Sequence, residues 1–157
     1  MTATITRTSI PEEIDASIVM RIAEEGYGPG AWHGNDFKAA LADVSPKLAF
    51  QRPAAGAHNI AEIALHHAWV IRSVRGQIGG KPGQFVLEGE DWFAANDEKT
   101  LKWARIVAVV EEEQAQLTKL LDSARTRSDR FDLILGLTCH AVYHAGQVQL
   151  IKRLLAA

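Results

Sequence analysis

The chain has 157 residues, 47% hydrophobic and 23% charged, with a formal net charge of −2. That is one ordinary domain's length with enough apolar content for a core, and its balanced charge excludes a basic field for phosphate backbones or anionic lipid, so nucleic acid is not an expected partner. Cys139, the only cysteine, can close no internal disulfide, and Met1-Thr2-Ala3-Thr4-Ile5-Thr6-Arg7 lacks the charged start and apolar run of a secretory signal, which together read as a cytoplasmic protein.

Ser9, with Pro11 just inside the start and Glu12 three residues on, has the form of a capping box. It predicts a first helix with Ile14, Ile18 and Ile22 as its stripe and Gly26 as its end, preceded by a poorly ordered segment at residues 1–8. From Tyr27 to His58 the chain is broken by Gly28, Pro29, Gly30, Gly34, Pro46, Pro53 and Gly56. Room remains for a short helix near Phe37 to Leu41 and one more turn near Lys47. Loop-rich connections of this length in a compact domain are often functional.

A second long helix is predicted from about Asn59 to Ile78, with Ile60, Ile63, Val70, Val74 and Ile78 on one face and Gly79-Gly80 at its end. Another loop, Gly80 to Ala95, carries Trp92. Asp97-Glu98 suits the positive pole of a third helix, striped by Trp103, Ile106, Val110, Leu117 and Leu121. Within it the run Glu111-Glu112-Glu113 reads as solvated, the alternative being that Glu113 or Gln114 turns inward. Ser128 or Asp129 caps a fourth helix, striped by Leu133, Leu137, His140, His144, Val148, Ile151 and Leu155, with Lys152 and Arg153 at its negative pole. Leu133 to Ile151 contains no Asp, Glu, Lys or Arg, yet two His, two Gln, a Tyr, a Thr and two Gly interrupt it. A spanning helix wants roughly 20 predominantly apolar residues, so this is a buried core helix and no membrane is expected. The whole, residues 1–157, reads as a single all-α domain: an up-and-down four-helix bundle with a long loop-rich connection between its first and second helices.

The six histidines stand at 33 and 58 in the long loop, 66 and 67 in the second helix, and 140 and 144 in the fourth. His140 and His144, at i and i+4, share the face that carries the apolar stripe and so point into the bundle. A single inward histidine is usually a hydrogen-bonded core residue. Two stacked ones each cost roughly 1 to 3 kcal/mol if unpartnered, and a shared divalent cation satisfies both. A third ligand must come from another helix, and periodicity leaves two candidates. His67 lies nearer the centre of the second helix's stripe, and His66 roughly a quarter-turn away at its edge.

Four segments together resemble the DinB-like superfamily of metal-binding four-helix bundles: Gly30-Ala31-Trp32-His33-Gly34, Gly56-Ala57-His58-Asn59-Ile60 with Leu65-His66, Gly89-Glu90-Asp91-Trp92, and His140-Ala141-Val142-Tyr143-His144-Ala145-Gly146-Gln147. The last is similar to the family's H-x-x-x-H-x-G-Q signature, and the resemblance runs from about Gly28 to Arg153. It implies that one histidine of the second helix and two of the fourth hold a zinc or nickel ion with water in the remaining positions. The spacing from Ile60 then selects His66 beside His140 and His144. Three protein nitrogens and an open position is the arrangement of a catalytic metal. Gln147, one turn beyond His144, and Tyr143 beside it are candidates to support the site; Trp32, His33 and His58, in the loop expected to cross the bundle mouth, are candidates to line the pocket. Cys139, about 100° around the helix from His140, reads as a buried inert thiol.

Characterised relatives use low-molecular-weight thiols such as bacillithiol, mycothiol or glutathione. The resemblance therefore implies a metal-dependent transferase that joins such a thiol to a small electrophilic substrate, working as a homodimer. The alternatives are a non-catalytic metal- or ligand-binding bundle of stress response, and a hydrolase using a metal-activated water. The chain lacks the Glu-x-x-His pairs of a di-iron carboxylate site and the H-E-x-x-H of a zincin protease.

Overall fold

A computed structural model of the chain describes residues 8–79, 81–123 and 128–156. The expected disorder of residues 1–8, apart from Thr8, falls outside these, as do Gly80 and the side chains of Ser128 and Asp129 that were expected to cap the last helix. The described residues form six helices and no strand: α1 Ala16–Tyr27, α2 Phe37–Leu41, α3 Pro46–Phe50, α4 Ile60–Ile78, α5 Trp103–Ser123 and α6 Ser128–Ala156. None of them is long and apolar enough to cross a membrane. α1 packs chiefly on α6, and α4 on both α5 and α6; α2 and α3, inside the long connection, close one end against α6 and α4.

Both short helices of the connection lie where the sequence predicts, each opened by a side-chain cap: Asp36 accepts from the Ala39 amide at 2.9 Å and Ser45 from the Leu48 amide at 3.3 Å. α4 is likewise as predicted. Asn59 caps it by accepting from the Glu62 amide at 2.9 Å, and Gly79, at φ 113°, adopts the left-handed conformation that ends it.

Three details of the helices differ from the sequence reading. α1 starts at Asp15, whose carboxylate takes the Ser17 amide at 2.8 Å, rather than at Ser9, and it runs one residue past Gly26. Its buried face accordingly centres on Val19, Gly26 and Tyr27, leaving Ile18 53% exposed. Gly26 fixes that orientation, since a Cβ there would stand 3.0 Å from the Ala141 Cβ and 3.1 Å from the Thr138 Cα: only glycine lets α1 approach α6 so closely. α5 begins at Trp103 instead of Asp97, because the Asp97 carboxylate closes a local turn on the Lys99 amide at 2.8 Å. The Trp103 indole then anchors the helix start by donating to the Val44 carbonyl at 2.8 Å.

Two apolar clusters fill the interior. One gathers Phe37, Ile60, Ile63, Leu65, Phe93, Ile106, Val110 and Val148 at the loop end; the other gathers Val19, Ile71, Val74, Ile78, Leu117, Leu121, Ile134 and Leu137 at the far end. Glu113 is buried, contrary to a fully solvated run, and pairs with Arg75 of α4, with Arg72 3.8 Å from its other oxygen; Glu111 and Glu112 are exposed. Cys139 is exposed, not buried, because among the described residues no helix covers the α6 face it shares with Leu135 and Tyr143.

Candidate metal centre

Register on two helices builds the centre. On α4, His66 and His67 are consecutive and both buried, so they leave the helix about 100° apart. On α6, His140 and His144 are one turn apart on the face toward α4. His66 Nε2 lies 3.0 Å from His140 Nε2, and His144 Nε2 lies 3.1 Å from the same atom. His66, His140 and His144 offer ligand atoms that all lie within 4.8 Å of one another and could hold a metal ion.

Each of the three imidazoles is held from behind through Nδ1. His66 Nδ1 faces the Asp91 carbonyl at 2.9 Å and the Asp91 carboxylate at 3.0 Å. A carbonyl only accepts, so His66 Nδ1 carries the proton and its Nε2 presents a lone pair. His144 Nδ1 donates to the Gln147 Oε1 at 2.6 Å, and the Gln147 amide nitrogen donates to the Tyr143 hydroxyl at 3.0 Å. His140 Nδ1 lies 3.1 Å from His67 Nδ1.

Such an arrangement is hard to satisfy with protons. One proton on His140 Nε2 points at one neighbour, yet two bare nitrogens crowd it. Two nitrogens bound to one tetrahedral zinc at about 2.0 to 2.1 Å stand about 3.3 Å apart, close to the contacts seen here. The donor set therefore fits a divalent cation of the zinc or nickel type, which neutral imidazole suits.

The electrostatics point the same way. Burial pushes His140 and His144 down to about 4, with the neighbouring histidine charges adding to the shift in both and the Gln147 bond partly offsetting it in His144. Burial, then the charges of His140, His144 and His66, hold His67 well below its ordinary range. His140 and His144 are therefore neutral at pH 7, the protonation state a ligand needs.

A loop platform covers the cluster. Trp92 is sandwiched between His66, at a centroid distance of 3.9 Å and 3°, and His58, at 3.8 Å and 10°. Glu62, in the first turn of α4, pins this platform: Arg52 grips both its oxygens, His58 Nδ1 donates at 2.9 Å and the Ala95 amide at 3.1 Å. Burial alone would raise the Glu62 carboxyl, but these donors outweigh it and hold it below its ordinary value. Asn59 completes the clamp by donating to the Ala95 carbonyl at 2.6 Å.

Beside the cluster lies a cavity of about 440 Å³, lined by the polar or aromatic side chains of His58, Trp92, Tyr143, His144 and Gln147 and by apolar ones that include Ile63, Leu150 and Leu154. Of the residues the sequence singles out, the structure brings His66, His140, His144, Gln147, Tyr143 and His58 together. Trp32 and His33 are not brought there: Trp32 is 89% exposed, and both are tied to Glu25 at the end of α1, His33 through the Glu25 carbonyl at 2.9 Å. Asp91, at φ 63°, and Glu62 escaped the residue-by-residue reading. The one sequence signal for Asp91 was its place in Gly89-Glu90-Asp91-Trp92; Glu62 looked like an ordinary helix-start acid.

His67 is the remaining polar group. Its Nε2 is buried with no hydrogen-bond partner among the described residues, which costs roughly 1 to 3 kcal/mol if left so, and its ring packs 4.3 Å from that of Phe37.

Residues 31–148 match the family model of the DinB superfamily, and the chain belongs to that superfamily. No curated protein and no solved structure matches it.

Proposed function

We propose that the chain is a metal-dependent transferase in which His66, His140 and His144 hold one zinc or nickel ion and a low-molecular-weight thiol is joined to a small electrophile in the adjoining cavity. The four long helices α1, α4, α5 and α6 serve as an up-and-down bundle whose loop end carries the reaction. The observation that carries this reading is the cavity itself. It adjoins His144, one of the three convergent imidazoles, so a ligand inside it lies against a ring that would hold the ion.

When bound, the ion would lower the pKa of a coordinated thiol and present it as a nucleophile at neutral pH. The chain's own residues do the rest. Asp91 and Gln147 hold two imidazoles in the ligating tautomer. Trp92 and the α6 leucines Leu150 and Leu154 give the electrophile apolar walls. Tyr143, 62% exposed at the cavity edge, has a hydroxyl placed to donate to a leaving group.

The cavity lining contains no Lys, Arg, Asp or Glu, which favours an uncharged, largely apolar electrophile. It weighs less against the hydrolase alternative, since His58, a further base, belongs to the same lining.

Cobalt substitution tests the proposal. Adding thiols to the cobalt form should produce intense sulfur-to-metal absorption with at least one of bacillithiol, mycothiol or glutathione. An unchanged spectrum across them would leave the non-catalytic binding reading in its place.

A further inference from the structure

We infer that His67 is a positioning residue for the metal centre, acting through His140: its Nδ1 accepts a hydrogen bond from His140 Nδ1–H and so holds His140 in the tautomer whose Nε2 lone pair is free to ligate. This rests on the reading of His66, His140 and His144 as metal ligands.

The other two ligands have their tautomers set by groups that can only accept at the relevant atom, the Asp91 carbonyl and the Gln147 amide oxygen. His140 has no such partner. Among the described residues its Nδ1 meets only His67 Nδ1, at 3.1 Å, in a pair of rings 18° from parallel. Of two facing ring nitrogens one donates and the other accepts, so the tautomers of the two residues are locked together. If His67 Nδ1 donated, His140 would carry its proton on Nε2 and could not bind the cation. Ligation by His140 therefore requires His67 to accept and to carry its own proton on Nε2.

That nitrogen is the buried atom with no partner among the described residues. His67 also lines a small cavity of about 10 Å³ shared with Tyr27, Gln114 and Thr138. One water needs about that much, so the cavity suits a single water that accepts from His67 Nε2–H. A residue kept only to fill space at this 1% exposed position would better be apolar, as its neighbours Leu65 and Ala68 are. The adjacent histidines of α4 thus divide the work, His66 as ligand and His67 as the acceptor behind a ligand on the opposite helix.

Zinc affinity by chelator competition, read beside circular dichroism, tests this. His67→Phe keeps the ring and removes the acceptor; it is expected to fold and to bind zinc 10 to 100-fold more weakly. His67→Asn, whose Oδ1 can stand where Nδ1 was, is expected to recover to within about fivefold of wild type. A folded His67→Phe that binds zinc as tightly as wild type would overturn the inference. Nitrogen-15 spectra of the zinc-loaded wild type decide the matter even where the variant does not fold: His67 is expected as the Nε2–H tautomer, and finding the proton on Nδ1 would overturn it. A wild-type chain that takes up no zinc would overturn the metal reading itself, a result distinguishable from both.

Discussion

Two of the polar clusters buried along α4 differ in whether they are complete. One turn from the far end, Arg75 pairs with Glu113 of α5, and Arg72 adds a second cation near the same carboxylate. Charge meets opposite charge, and the cluster needs nothing further. Toward the loop end, His66, His140 and His144 turn lone-pair nitrogens toward one another while every supporting group stands behind them on the Nδ1 side. A core polar group placed for stability alone is paired inward, as Glu113 is. A cluster supported from behind and unsatisfied at its centre is built for something that enters.

The largest effect expected from breaking this contrast is on metal binding. His140→Ala with His144→Ala should abolish zinc uptake, measured by elemental analysis, while leaving the helices in place. Glu113→Ala should do the reverse, lowering unfolding free energy by roughly 3 to 5 kcal/mol in urea titration because Arg75 is left buried and unpaired, with zinc still bound one per chain. Loss of zinc in the folded Glu113→Ala variant would show that the clusters are not independent.

A smaller effect is expected from pH in the metal-free chain. The folded-state values of His140 and His144 are depressed to about 4 from an unfolded value near 6.5, so the unfolded chain takes up protons first as pH falls. The stability they contribute is complete above about pH 6.5 and is lost as pH falls toward 4, on the order of 2 kcal/mol for the pair after discounting their partial exposure. Thermal melts should show that slope flattened in the variant with both histidines changed to Gln. An identical slope would mean the two rings are not buried as described.

Asp91→Gly, which accepts the φ of 63° but removes the carboxylate behind His66, should weaken zinc by about tenfold in chelator competition. The smallest effect is expected at Cys139. Being exposed and off the cluster face, its thiol should react with Ellman's reagent in the native chain, and Cys139→Ser should change zinc affinity by less than about twofold.

The comparison also explains what the sequence could and could not convey. α4 and α6 were legible because their apolar residues recur at helical spacing and Asn59 and Gly79 punctuate α4, so the inward direction of His140 and His144 followed. The choice between His66 and His67 was not, since both are buried and periodicity places two neighbours only a quarter-turn apart. Their different partners across the bundle separate them, and those are long-range facts. Tertiary contacts likewise decided Cys139, Glu113 and the face of α1: a helix face reads as core or surface only once its neighbour is known. Competing local caps misled the starts of α1 and α5, where Asp15 and Asp97 each took an amide two residues on. Trp92 and Asp91 come to the cluster through the Glu62 clamp, and no spacing rule reveals a loop pinned from 33 residues away.

Zinc K-edge X-ray absorption of the loaded chain tests the central claim most directly. Three imidazole nitrogens at about 2.0 to 2.1 Å with one exchangeable oxygen in the fourth position is the predicted shell. A shell of four protein ligands, or one containing the Cys139 sulfur, would contradict it.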